Sequence, residues 1–442
     1  MSKKLPDSFR QKMTAMLGEE EYLRYEACLL EPLQHGLRVN TGRMTTERFL
    51  KISPWKLEQI PWCESGFYLS EDAAEDPPSK SPYYYAGLYY LQEPSAMLPA
   101  ATLPVNPGDR VLDLCAAPGG KSTQIGADMM GKGLLVCNEP VAKRAAVLSS
   151  NLERMGIVNS IAVSAYPEKL ASRWPEGFDG VLVDAPCSGE GMFRRHPETR
   201  AEWSAEKAEG CAARQKQILD AAARMVRPGG RLVYSTCTWN PAENEEQVKL
   251  FLREHRDFFP EPFFLPGAEA PEGMLACWLH RTRGEGQFTA KLRRRGSGEA
   301  VLPSGKDAFR ISREVLQSWR QSGVRTPEPG ALFGQTAVCL PEIPDLTEIR
   351  VLRLGLHLGQ IRKGIFWPDH AAALAMERPE MPEMELTDAE ALKYLAGETT
   401  RGESRGWTLM TWKGLVLGWA KGSCGEMKNH YPKGLRNTRL ET

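Results

Sequence analysis

No long apolar run follows the charged opening Met1-Ser-Lys-Lys-Leu-Pro-Asp7, so neither a secretory leader nor a membrane span is read, and a cytoplasmic home is expected. Net charge is missing too, because 56 Lys and Arg balance 56 Asp and Glu. That balance excludes a global basic field, and any surface facing nucleic acid must be a local patch. Metal-ligand spacing is also absent: ten cysteines include no CxxC pair, which points to reduced thiols and no metal site. No internal repeat is evident.

What is present is an ordinary globular composition. A length of 442 residues with 42% hydrophobic content accommodates two to four domains with buried cores. Residues 1–78 read as a small N-terminal α/β domain, with a helix from Phe9 to Leu30, a strand-like Gly36–Thr41 and a closing acidic, proline-terminated linker, Glu71–Pro78. Residues 79–295 then alternate apolar strands with helices. The strands are Arg110–Leu114, Leu134–Glu139, Ser160–Ser164, Gly177–Asp184 and Arg231–Thr236; helices are read over Ala142–Met155 and Ala212–Val226. This spacing indicates a parallel, doubly wound, Rossmann-like sheet, with Gly286–Leu292 as its final edge strand.

The pattern changes after Arg293-Arg-Arg295. Residues 296–376 read as a separate small α/β domain containing the strands Ala337–Leu340 and Arg350–Leu354. Residues 377–442 begin with a linker, Glu377–Glu385, followed by a helix Asp388–Ala396 and paired strands Gly406–Met410 and Gly414–Lys421. From residue 401 onward, Arg401, Arg405, Lys413, Lys421, Lys428, Lys433, Arg436 and Arg439 outnumber Glu403, Glu426 and Glu441. Basic character is thus concentrated in the last segment, as an accessory module that grips a polyanion requires.

Three phrases carry chemistry, and all fall at strand ends, where an open parallel sheet presents ligand-binding loops. The first is a Gly-rich turn, Asp113-Leu-Cys-Ala-Ala-Pro-Gly-Gly-Lys121-Ser122, in which Gly119 and Gly120 permit tight approach of backbone to ligand. It lacks both GxGxxG and P-loop spacing, which disfavours cradling of a pyrophosphate or triphosphate. Glu139 ends the next strand, where a carboxylate can accept both ribose hydroxyls of a nucleoside. Turn and carboxylate together imply an adenosine cofactor.

The second and third phrases are Asp184-Ala-Pro-Cys187-Ser-Gly189 and Ser235-Thr-Cys237-Thr238. Either thiol lies in a loop where a nearby cation would favour the thiolate. Chemistry alone leaves the choice of nucleophile between Cys187 and Cys237 open.

In order and wording, these phrases closely resemble the RNA 5-methylcytosine methyltransferases of the Nop2/Sun type. The C-terminal text, Gly418-Trp-Ala-Lys-Gly422 and Lys428–Arg436, narrows the likeness to the bacterial RsmF branch with its PUA-like module. The resemblance covers nearly the whole chain. It implies a class I methyltransferase domain flanked by RNA-binding modules, and S-adenosylmethionine held by Cys115, Ala116, Ala117, Pro118, Gly119, Gly120 and Lys121, with Glu139 and Asp184. The third strand end, where many relatives carry an aspartate, has Tyr166 here, which is kept as a cofactor contact.

The same resemblance implies the reaction. A thiolate adds to carbon 6 of cytosine, which makes carbon 5 nucleophilic enough to take a methyl group. It assigns Cys237 as that nucleophile and Cys187 as the helper in releasing the product. Asp184 is placed to hydrogen-bond ring nitrogen 3, with Lys121, directed at the target base or at the Asp184 carboxylate, as a polarising cation. The target base must be flipped or lie in a loop, and Arg194 and Arg195 in Gly191–His196 are candidate phosphate contacts. The implied partner is RNA, that of the small ribosomal subunit, with transfer RNA as the alternative; neither DNA nor a membrane is expected. Two rivals are an assembly factor that keeps the fold without turnover and a methyltransferase of proteins or small molecules. Intact Asp184, Cys187 and Cys237 weigh against the first, and the basic C-terminal segment against the second.

Overall fold

The computed structural model describes residues 5–375 and 381–436. Its centre is a nine-stranded mixed sheet. We number its main strands β1 (Arg110–Asp113), β2 (Leu134–Asn138), β3 (Ser160–Ser164), β4 (Phe178–Asp184), β5 (Val226–Thr236), β6 (Gln287–Arg294) and β7 (Arg350–Leu354). The order runs Phe258–Pro260, β6, β5, β4, β1, β2, β3, β7. Pairs from β3 to β5 are parallel, whereas β6 and β7 are antiparallel to their neighbours.

Side-chain alternation explains why these strands read as unbroken apolar runs: both faces are covered. Val111, Leu135 and Leu182 face the helices α1 (Gly120–Asp128) and α2 (Ala142–Arg154) through Ile125, Leu148 and Leu152. Leu112, Val136 and Val181 face the other way, onto α3 (Pro167–Arg173) and α4 (Ala205–Met225) through Leu170, Ile218 and Leu219. The chain leaves β1 towards β2 on one side and reaches β4 on the other. The ends of β1 and β4 therefore flank the crevice where strand order reverses, the usual ligand position in such sheets.

Several sequence-based expectations change. The single helix expected from Phe9 to Leu30 is two, Asp7–Leu17 and Glu19–Cys28, separated by Gly18 at φ 79°. The N-terminal sheet, ordered Leu57–Gln59, Gly66–Leu69, Gly36–Val39, Tyr89–Leu91, takes its last strand from beyond the expected boundary at 78. The acidic run is packed against it, and Pro78 accepts a hydrogen bond from Tyr89 Oη at 2.6 Å. β6 is no edge, since Phe258–Pro260 and Met274–Cys277 both pair with it.

The largest departure is β7. Arg350–Leu354, expected in a separate domain, pairs with β3. The physical reason is that β3 would otherwise present an open row of backbone groups. Arg353 is 2% exposed and donates to Glu153 Oε2 of α2 at 2.8 Å, locking the added strand down.

Two further sheets are built from the residues on either side of β7. One comprises Ala331–Phe333, Thr336–Cys339, Leu356–Arg362 and Ile365–Pro368; the other comprises Glu383–Glu385, Gly406–Trp412, Leu415–Ser423, Glu426–Asn429 and Thr400–Arg401. The helix Asp388–Ala396 opens on a Thr387/Glu390 capping box. Leu386, Tyr394 and Trp412 share one apolar core with Leu37, Phe49 and Tyr83 of the N-terminal sheet. The expected second linker lies partly outside the described residues, as do Arg439 and Glu441. No helix among the described residues is long and apolar enough to cross a membrane.

Candidate active site

The Gly-rich turn joins β1 to α1. Gly119 takes φ 109°, and a Cβ there would stand 3.1 Å from Leu148 Cδ1, so this position favours glycine on conformation and space alike. Asp113 at the end of β1 is 1% exposed. Burial pushes its carboxyl up to about 7, against the hydrogen bond from Ser122 Oγ at 2.6 Å. Its Oδ1 is buried without a hydrogen-bond partner.

Across the crevice, Asp184 ends β4 and accepts from three side chains: Lys121 Nζ at 2.7 Å, Ser235 Oγ at 2.6 Å and Gln287 Nε2 at 3.3 Å. Burial opposes the charge on Lys121, but the Asp184 carboxylate, with Asp113 behind it, holds the ammonium above its ordinary value. Of the two directions open to Lys121, the target base and the Asp184 carboxylate, it takes the second; Ser235 and Gln287 are additions that the sequence did not single out, although Ser235 stands in the quoted phrase.

The two motif cysteines, fifty residues apart in sequence, bring their sulfurs to 3.2 Å, and both are free thiols. The contact with Cys237, then burial, pushes the Cys187 thiol well above its ordinary value. Their loops are braced by an acid that sequence reading overlooked. Glu243, fully buried, accepts from Ser188 N at 2.9 Å, Ser188 Oγ at 2.5 Å and Gln215 Nε2 at 2.9 Å. Ser188 Oγ and Thr238 Oγ1 lie 2.9 Å apart, and Asn244 Nδ2 donates to Thr238 O at 2.9 Å. The signal was the run Asn240-Pro-Ala-Glu-Asn244, which begins three residues after Cys237.

The N-terminal helices back the same loops. Phe9 meets Phe193 and Tyr25 meets Trp239 edge to face, with centroids 5.1 and 5.2 Å apart. Arg194 is not a free phosphate contact: it is buried and donates to Glu285 Oε1 at 3.0 Å. Arg195, next to it, has a buried Nε without a partner.

A cavity of about 540 Å³ opens beside these groups. Cys115, Ala117, Glu139, Tyr166, Asp184, Cys187 and Cys237 line it. Ala116, Pro118, Gly120 and Lys121 line a smaller neighbour of about 200 Å³, which shares Cys115, Ala117 and Asp184 with the first. Glu139 is 2% exposed, accepts from Val141 N at 2.9 Å and pairs with Arg144 at 3.2 Å. Tyr166 is 75% exposed at the rim.

The family comparisons agree along the chain. The model for 16S rRNA methyltransferase RsmB/F matches residues 100–293, that for the RsmF N-terminal domain 5–94, the RsmF first C-terminal domain 320–376 and the RsmF PUA domain 381–437. Ribosomal RNA small subunit methyltransferase F of Erwinia tasmaniensis is 34% identical over 99% of this chain and 98% of its own. That of Salmonella paratyphi A is 36% identical over the same shares. Among solved structures, a methyltransferase homologue from Pyrococcus horikoshii matches with TM-score 0.56 and 27% identity over 66% of this chain and 100% of its own. NSun6 from the same organism is alike in fold, with TM-score 0.59 and 23% identity over 66% and 99%. With its catalytic sheet, N-terminal domain and PUA module all matched, the chain belongs to the RsmF family of 16S rRNA methyltransferases.

Proposed function

We propose that the protein transfers a methyl group from S-adenosylmethionine to carbon 5 of a cytosine in 16S ribosomal RNA, through a covalent adduct between Cys237 and carbon 6. One observation carries the reading: two thiols 3.2 Å apart share a cavity with a buried carboxylate suited to ribose. The cavity fits the cofactor by its donor set. Glu139 spends part of its acceptor capacity on Val141 N and Arg144, and a carboxylate has about four lone-pair sites, which leaves room for two hydroxyls. Of the Gly-rich turn, Cys115, Ala116, Ala117, Pro118, Gly120 and Lys121 line this cavity or its smaller neighbour, whereas Gly119 packs against α2, and the unpartnered Asp113 Oδ1 is one further acceptor. Bound there, S-adenosylmethionine supplies a methyl group on a positively charged sulfur.

The chain's own residues do the rest. Cys237 forms the bond to carbon 6, and the electron pair displaced from the 5,6 double bond makes carbon 5 nucleophilic. The Asp184–Lys121 pair provides the hydrogen bond or proton at ring nitrogen 3 as negative charge builds on the pyrimidine. Because Asp184 already accepts from three donors, Lys121 is the member of the pair with a proton to give. After methylation, carbon 5 must lose its proton and the bond from Cys237 to carbon 6 must break. Cys187, whose sulfur lies 3.2 Å from that of Cys237, is the residue placed to assist this release.

Incubating the protein with methyl-labelled S-adenosylmethionine and separate RNA, protein and small-molecule pools tests the reading. Label is expected in small-subunit RNA, at carbon 5 of cytosine. Label confined to protein or small molecules, or at another base position, overturns it.

A further inference from the structure

The basic residues of the last segment do not spread evenly over the PUA sheet. In its register Trp407 faces Lys421, and Lys421 faces Lys428. Directly opposed residues point to the same face of a sheet, so these three form a row. Two lysines placed opposite one another repel and destabilise a strand pair. The neighbouring sheet adds to this imbalance. Its strand Ile365–Pro368 places Trp367 against the row, with Lys421 Nζ 4.9 Å from the Trp367 ring centre and 5.3 Å from that of Trp407. Arg362 approaches the Trp367 ring at 5.6 Å.

The aromatic groups form one unit. Trp367 and Trp407 meet edge to face at 5.5 Å, and the His430 ring lies 5.5 Å from Trp367 and 4.7 Å from Trp407. His430 Nε2 is buried with no hydrogen-bond partner. Burial, then the charges of Lys428, Lys421 and Arg362, push the imidazole down to about 4, so it stays neutral among them. None of Arg362, Lys421 and Lys428 forms an ion pair among the described residues. Two cations near these sheets differ: Lys413 is paired with Asp388, and Arg320 with Glu328.

We propose that Arg362, Lys421 and Lys428, with Trp367 beside the first two, form a composite RNA-backbone site that straddles the first C-terminal domain and the PUA sheet. An RNA strand fits on two counts. Its phosphates relieve three unpaired like charges, and its bases or sugars find an aromatic edge beside them. A protein partner matched to the charge would need an acidic surface shaped to an indole, and the RNA substrate already satisfies both demands. The site rests on the proposed RNA methylation and adds where the substrate is gripped outside the catalytic domain.

The test uses the full chain and an unmodified 16S rRNA transcript. Arg362→Ala, Lys421→Ala and Lys428→Ala are combined in one variant, and Arg401→Ala, Arg405→Ala and Lys433→Ala in a control variant of equal charge. At about 0.15 M salt the first variant is expected to bind the transcript roughly tenfold more weakly, with the slope of log affinity against log salt reduced by about two to three. The control should change far less, and both should keep the wild-type unfolding midpoint and S-adenosylmethionine affinity. Wild-type affinity and slope in the first variant, or equal losses in both, overturn the site. If wild type itself fails to methylate RNA, the proposed function fails instead, and the two failures are told apart by that parallel assay.

Discussion

Lys121 Nζ and Asp184 Oδ2, 2.7 Å apart, tie the first turn of α1 to the end of β4 across the crevice where the strand order reverses. A buried pair of this kind is a fragile thing to break, because removing one partner leaves the other charged and unsatisfied. It is therefore poor ground for a clean catalytic test. The cysteines are better ground, since neither holds a charge partner in place.

Cys237→Ala is expected to abolish methyl transfer while leaving S-adenosylmethionine affinity near wild type. The thiolate is needed for addition to the base, and Glu139 and the Gly-rich turn remain intact. Single-turnover assays alongside calorimetry check both halves, and appreciable turnover by the variant removes Cys237 as nucleophile.

Cys187→Ala should permit attack and methylation but slow breakdown of the adduct. A covalent protein–RNA band is expected on a denaturing gel with S-adenosylmethionine present, and it should vanish when Cys237→Ala is added. A band that needs Cys187 and survives without Cys237 would reverse the two roles.

Glu139→Ala removes the acceptor proposed for ribose and should weaken S-adenosylmethionine by about 1–3 kcal/mol, the range for hydrogen bonds to a charged group. Calorimetry returning the wild-type dissociation constant rejects that role.

Asp113 makes a prediction about pH. Its carboxyl lies at about 7 in the folded chain and near 3.9 when unfolded, so the folded state binds the extra proton. The stability linked to that proton is complete below the unfolded value and is lost as pH rises through about 7. Asp113→Asn cannot lose it. Thermal unfolding at pH 5 and pH 8 should show the variant gaining on wild type as pH rises, and a constant difference across that range would show that Asp113 does not titrate there.

How much of this was legible in the sequence follows from distance along the chain. β1 to β5, α2 and most of α4, which begins at Ala205 and not at Ala212, were readable because hydrophobic runs and turn residues are local signals. The three chemical phrases were readable because strand-end loops converge by topology. Glu243 was not, since its role arises from Ser188 and Gln215 reaching it from other elements. Arg194 looked like a surface cation until Glu285 appeared beneath it, and the single expected N-terminal helix hid a break that one glycine makes. The β3–β7 pairing leaves no local trace at all, because nothing near Ser160–Ser164 announces a partner so far downstream.

That pairing also orders events during synthesis. Arg353 and Glu153, which clasp β7 to α2, stand 200 residues apart. Every cysteine and carboxylate of the catalytic crevice is translated before the strand that covers the sheet's open edge. A nascent chain stalled after β6 would carry its full chemistry on a sheet with a sticky flank, and pairings of such long range form slowly. Limited proteolysis of chains arrested on either side of Leu354 should find β3 protected only in the longer one, so maturation of the catalytic sheet awaits the first module that follows it.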